Sequence, residues 1–162
     1  MATEMMAWLV AIPLLGAVTG LRTMMPMTVL CWFAYFQRLP VEGTWARWTA
    51  HLVSALVFSV LAVGELIGDK LPQTPDRTSP GPLVARLTFA GLMGAIVATA
   101  LEGPGLEGVI LGVVGAVAGA FGGYHARRAL VEWLACPDLV VAVVEDALAI
   151  FLAVAAMRVI TA

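Results

Sequence analysis

Long apolar runs separated by short polar breaks dominate the chain. The first extends from Met5 to Phe36 with a single charge inside it, Arg22, and is punctuated by Pro13, Gly16, Gly20 and Pro26. It is too long for one simple membrane span, since a hydrocarbon core ~30 Å thick takes about 20 helical residues. Two readings compete: a tilted helix broken near Thr19–Arg22, or two short arms forming a re-entrant hairpin. The broken helix is favoured, because each arm alone is too short to cross.

A polar loop follows, Gln37 to Trp48, with Arg38, Glu42 and Arg47 beside Trp45 and Trp48, as a membrane–water interface favours. A second span is expected from His51 to Ile67, ending in Gly64-Glu65-Leu66-Ile67-Gly68-Asp69-Lys70. The loop Leu71–Pro82 contains four prolines, which forbid a regular helix there. A third span, Leu83–Leu101 with Arg86 near its start, ends at the turn Glu102-Gly103-Pro104-Gly105. The fourth covers Leu106–Tyr124, and His125–Leu134, carrying Arg127 and Arg128, reads as an amphipathic interfacial stretch. Pro137-Asp138 marks the start of a fifth span that reaches Ile160 and carries Glu145 and Asp146.

The expected fold is therefore an all-α, polytopic transmembrane bundle of about five spans, forming a single domain over residues 1–162. The N-terminus lacks a basic segment, and no small-residue cleavage site follows Gly20, so the first run reads as a retained span. With five crossings, the positive-inside rule favours a cytoplasmic N-terminus; a re-entrant hairpin would reverse that sign.

Composition sharpens this picture. Hydrophobic residues make up 61% of the 162 and charged residues only 12%, against about 45–50% and about 25% in a soluble domain. Too little polar surface remains to cover a soluble particle, so lipid must solvate much of it. A net charge of −2 leaves no basic stripe for nucleic acid. The two cysteines, Cys31 and Cys136, lie in separate apolar segments and read as inert buried thiols.

Glycines four apart mark close helix packing: Gly16 and Gly20, Gly108 and Gly112, and the row Gly115, Gly119 and Gly123. Packing within the bundle is the favoured use, and a homodimer interface on the fourth span is the alternative. The segment Gly16–Arg22 also echoes Gly119–His125, each followed one helix later by an acidic residue, Glu65 or Glu145. That is the pattern of a transporter repeat, though such short matches also arise by chance in glycine-rich helices.

Charges inside apolar spans carry the chemistry. Glu65 and Asp69 share one helix face, with Asp69 and Lys70 expected at the water interface and Glu65 a turn deeper. Glu145 and Asp146, being adjacent, point about 100° apart. Intramembrane charges pair, and arginine can serve two carboxylates, so the expected polar centre contains Arg22, Glu65 and at least one of Glu145 and Asp146. It is read either as a clamp on helix register or as a site for an ion or solute. His51 and His125 are expected at the interface. No catalytic motif, metal-ligand spacing or cofactor signature is present, and no enzyme is expected.

The blocks Gly20–Pro26, Gly64–Thr78, Phe121–Arg128 and Pro137-Asp138 with Glu145-Asp146 resemble a bacterial family of small integral membrane proteins classed as a domain of unknown function. The likeness covers nearly the whole chain. It implies a multi-pass protein of the bacterial inner membrane and groups Arg22, Glu65, Asp69, Lys70, Arg77, Arg127, Glu145 and Asp146 together. The proline-rich loop belongs to the resemblance, with Asp76 and Arg77 as candidates for a lid over the polar centre. The expected function is a small transporter or channel for an ion or small polar solute, acting as a homodimer in the lipid bilayer. The alternative is a structural subunit or assembly factor bound to a larger membrane complex, and an enzyme acting on a lipid ranks third.

Overall fold

The computed structural model describes residues 2–69, 78–134 and 137–161, and all regular structure among them is helical. The α-helices are α1 (Ala2–Leu21), α2 (Met24–Tyr35), α3 (Leu52–Gly68), α4 (Pro80–Ala100), α5 (Gly105–Leu134) and α6 (Asp138–Thr161). A 3-10 helix, Trp45–Ala50, precedes α3. Among the described residues, α4, α5 and α6 are the three helices long and apolar enough to cross a membrane. The remaining apolar helices, Trp8–Leu21, Met24–Tyr35 and Leu52–Gly68, are shorter.

The first run breaks beside the expected Thr19–Arg22 stretch, but it does not continue through the break as one tilted helix. Gly20 stays inside α1, the break falls at Arg22-Thr23, and the chain reverses there. Antiparallel packing of α1 on α4 gives the direction: Arg86 meets Gly20 and Leu21, whereas Ile12 lies beside Gly94 and Trp8 beside Gly103. By Trp45 the chain is back beside Thr99, at the far end of α4. Thr23 and Met24 contact Glu65 near the end of α3, while Trp32 contacts Ser59, so α2 and α3 are antiparallel too. The six helices thus alternate in direction, and the start of α1 lies at the same end of the bundle as the end of α6. The favoured broken helix gives way to the hairpin.

α5 runs unbroken through Tyr124 and His125 to Leu134. The interfacial stretch expected after Tyr124 is the continuation of that helix. The echo between Gly16–Arg22 and Gly119–His125 therefore does not mark a shared break, because the first copy ends a helix and the second lies within one.

Other boundaries follow local chemistry. Pro137 precedes α6 and Asp138 opens it, where a carboxylate favours the positive end of the helix dipole. Thr44 caps the 3-10 helix by accepting from Ala46 N at 3.2 Å. α2 and α4 both end in Schellman turns. Arg38 N donates to Phe33 O and Gly103 N to Ala98 O, each at 2.8 Å, which puts Gln37 (φ 57°) and Glu102 (φ 55°) in the left-handed region. Glycine normally occupies that position. Glu102→Gly is expected to raise stability by about 1 kcal/mol, read as a higher Tm from tryptophan emission in detergent.

Packing depends on missing side chains. A Cβ on Gly16 would lie 2.2 Å from Gly112 O, on Gly115 2.2 Å from Pro13 O, and on Gly119 2.0 Å from Ala17 O. Another crossing joins α4 and α5, where Gly94 and Gly108 face each other's carbonyls. These glycines let α5 lie against α1 and α4 at backbone distance. The fourth-span row is thereby occupied within the chain at Gly115 and Gly119. Around these crossings Ile12, Leu15, Val18, Leu30, Met93, Ile96 and Met157 are fully buried.

The outer faces are apolar as well. Val53, Val60 and Ile67 of α3, Leu106 and Val114 of α5, and Val144 and Phe151 of α6 are all exposed. Such continuous apolar surface suits hydrocarbon as the surrounding solvent.

Candidate functional site

The α1–α2 reversal creates the site because it strands two helix ends inside the bundle. The last carbonyls of α1 and the first amides of α2 have no intrahelical partner. Two side chains from other helices answer them. Glu65, near the end of α3, accepts from Thr23 N at 2.7 Å through Oε1 and from Met24 N at 2.8 Å through Oε2. Arg86, in the second turn of α4, donates from Nη1 to Gly20 O at 2.9 Å and Leu21 O at 2.7 Å. The carboxylate faces the positive end of α2 and the guanidinium the negative end of α1, so each interaction is charge-assisted and dipole-aligned.

α2 is fixed on α3 by side chains along their contact. The Thr28 hydroxyl donates to Phe58 O at 2.8 Å, and Trp32 Nε1 donates to Ser59 Oγ at 3.0 Å. These bonds set the register that brings Glu65 under the α2 amides.

Arg22 occupies the reversal itself. Its amide extends the last turn of α1 by donating to Val18 O at 2.7 Å. The side chain is wholly buried and lies between two carboxylates, Asp69 at the end of α3 and Asp146 of α6. Its Nη1 pairs with Asp69 Oδ2, and its Nε lies 2.6 Å from Asp146 Oδ1. Nη2 has no hydrogen-bond partner among the described residues.

The sequence expectation is met in part. Arg22 is central, and of the adjacent pair Asp146 is the one that reaches it. Glu65 belongs to the same centre through backbone amides, while the carboxylate beside Arg22 on α3 is that of Asp69. Asp69 was expected at the water interface; instead it is half-buried, with its side chain 20% exposed. Glu145 points elsewhere, toward Arg127 at 3.7 Å. Lys70, Asp76 and Arg77, the lid candidates, and Cys136 lie outside the described residues. Cys31 is a buried thiol of the core.

Arg86 was not among the expected site residues. A lone arginine in the second turn of a long apolar span was the available signal, and the carbonyls of Gly20 and Leu21 that it meets are backbone groups that no residue pattern reveals. The pairing of Arg127 with Asp138 was likewise missed. Arg127 Nε and Nη2 fork onto the Asp138 carboxylate at 2.8 and 2.5 Å, joining α5 to α6. Arg128 pairs with Glu132 on the exposed face of α5, and His125 is exposed.

Between α1, α5 and α6 lies a cavity of about 370 Å³ lined by Leu14, Val18, Gly123, Leu148 and Leu152, with Arg127 and Glu145 also on its wall. No three His, Cys, Asp or Glu residues stand together as metal ligands among the described residues. No family model, curated protein or solved structure matches this chain.

Proposed function

We propose that this chain is a small transporter or channel of the bacterial inner membrane, passing an ion or small polar solute by way of the Arg22 centre. One observation carries the reading: a wholly buried guanidinium shared by carboxylates of two helices, with Nη2 lacking a hydrogen-bond partner among the described residues. Removing three charges from water costs several kcal/mol per ion, and their attraction only partly offsets it. Charges kept at that cost inside a membrane protein characteristically mark ion or substrate pathways, and broken helices commonly form the sites of transporters. A solute oxygen at Nη2 would add a hydrogen bond to the arginine's two ion pairs.

Membership of the resembled bacterial family and a homodimeric state are parts of the same proposal. A dimer would use outer faces, since Gly115 and Gly119 already pack on α1. With the hairpin, the positive-inside preference reverses and places both chain ends away from the cytoplasm.

The test is flux into liposomes across a panel of ions and small solutes. Wild type should exceed protein-free vesicles for at least one member. Arg22→Lys, which keeps the charge and loses the fork, should lower that flux by about tenfold, matching one lost charge-assisted hydrogen bond. Wild-type vesicles indistinguishable from empty ones across the panel would sink the proposal.

A second reading has its own support. Glu65 and Arg86 each answer a helix end, and Asp69 and Asp146 answer Arg22, so the charges suffice to hold the reversal. A structural subunit or assembly factor needs no more than that. Purification in mild detergent that yields a stoichiometric partner protein would favour it.

A further inference from the structure

The end of the bundle where α2 and α6 finish, opposite the Arg22 centre, holds a second cavity with an excess of positive charge. Its volume is about 640 Å³, and Phe33, Phe36, Arg38, Arg158 and Thr161 line it. Arg38 follows α2, whereas Arg158 lies in the last turn of α6. Both arginines are exposed, and neither side chain forms a hydrogen bond or ion pair with any described residue.

The backbone fixes where these cations sit. Arg38 N donates to Phe33 O at 2.8 Å in the turn that ends α2, and Leu39 beside it is buried. On α6, Met157 beside Arg158 is wholly buried. The Thr161 hydroxyl donates to Met157 O at 2.9 Å, which leaves the two arginines as the side-chain donors of the lining.

An arginine at a helix end balances the helix dipole, and that accounts for part of the charge. Each such end carries roughly half a negative charge. Two guanidiniums against two helix ends therefore leave about one positive charge. Glu42, the acidic residue nearest Arg38 in sequence, is exposed and lies outside the lining. Aromatic residues set the depth. Phe36 stacks on Trp32 with ring centroids 5.7 Å apart and meets Tyr35 edge-on at 5.3 Å. Tryptophan and tyrosine gathered at a helix end are what the headgroup level of a bilayer favours, which puts the cavity at the depth of lipid phosphates.

We infer that this cavity binds the phosphate diester of an anionic phospholipid. Arg38 and Arg158 fork onto the phosphate oxygens from two sides, as the planar guanidinium allows. Phe33 and Phe36 pack against the glycerol and the first methylenes of the acyl chains. One phosphate diester cancels the leftover positive charge. A headgroup that adds an ammonium would bring a cation to a site whose described lining has no carboxylate. The inference does not depend on the function assigned to Arg22.

Native mass spectrometry of the full chain, released from nanodiscs of equal parts phosphatidylglycerol and phosphatidylethanolamine, tests it. One phosphatidylglycerol should be retained per chain in preference to phosphatidylethanolamine. Arg38→Gln and Arg158→Gln should each lower that retention by about tenfold, the loss of one charge-assisted hydrogen bond, and the double variant by about a hundredfold. Both side chains are exposed and bond to no described residue, so these variants keep the fold. Arg47→Gln is the control, since Arg47 is an exposed arginine at the same end of the bundle but outside the lining; it should retain lipid like wild type. Equal retention of both lipids by wild type, undiminished retention in the double variant, or an equal loss in Arg47→Gln overturns the proposal. Displacement of the lipid by glycerol phosphate would also overturn it, by assigning the site to a soluble phosphate.

Discussion

Gly119→Ala is expected to destabilise the folded bundle severely, although it adds a single methyl group. That methyl carbon would stand 2.0 Å from Ala17 O and 2.7 Å from Ala17 Cα. Both are backbone atoms of a helix, so no rotamer change relieves the overlap; α1 and α5 must separate. Overpacking a core by a methylene costs about 1–3 kcal/mol where side chains can yield. With backbone on both sides the loss should be at least about 3 kcal/mol, a large fraction of the ~5–15 kcal/mol that holds a domain together. Gly122→Ala, three residues on, meets nothing within 4 Å and should gain about 0.5–1 kcal/mol from helix propensity. Thermal unfolding in detergent, followed by tryptophan emission, separates the two. If both variants melt alike, α1 and α5 do not cross at Gly119.

The contrast between these glycines shows what one dimension of sequence carries. Four-residue spacing marked Gly16, Gly20, Gly115 and Gly119 as close-packing positions, and the backbone contacts agree. Which helix each meets depends on topology, which spacing does not encode. Boundaries were legible where their causes are local, as at Glu102–Gly105 and Pro137-Asp138. The hairpin was not, because its causes lie far along the chain. Glu65 is 42 residues from Thr23, and Arg86 is 65 residues from Leu21. An apolar run containing one arginine reads the same whether the chain continues or turns back.

The charged centre was half legible for the same reason. Burying Arg22 in an apolar run requires carboxylates, which identified the class of partner. Choosing among Glu65, Asp69, Glu145 and Asp146 required knowing that α2 returns alongside α3. Once it does, Glu65 is drawn to amides with no intrahelical acceptor, and Asp69, a turn further along α3, meets the guanidinium. His125 and Arg127 follow a long apolar stretch and suggested the end of a span. Helical geometry needs no apolar surroundings, so α5 continues, and Arg127 finds Asp138 across the α5–α6 connection.

Arg22→Met is the other change expected to have a large effect, and its partners make it informative. Methionine has similar length and apolar bulk, so the loss is chiefly of charge. It leaves the Asp69 and Asp146 carboxylates, 20% and 12% exposed, without their shared cation. Removing one member of a buried ion pair costs about 3–5 kcal/mol, because its partners lose that compensating charge. Adding Asp146→Asn should recover part of that loss, with a coupling of about 1–3 kcal/mol between the two sites. Neutralising Asp69 as well should bring the triple variant close to wild-type stability, since apolar or neutral replacements of buried ion networks are often tolerated. Unfolding in detergent measures all four proteins. An additive series would mean that Arg22 is not held by these carboxylates. The triple variant then divides the two functional readings. If it folds like wild type and has lost liposome flux, the charges serve transport beyond any structural role; if it folds and flux persists, the Arg22 centre is a clamp on the α1–α2 reversal and the solute path lies elsewhere.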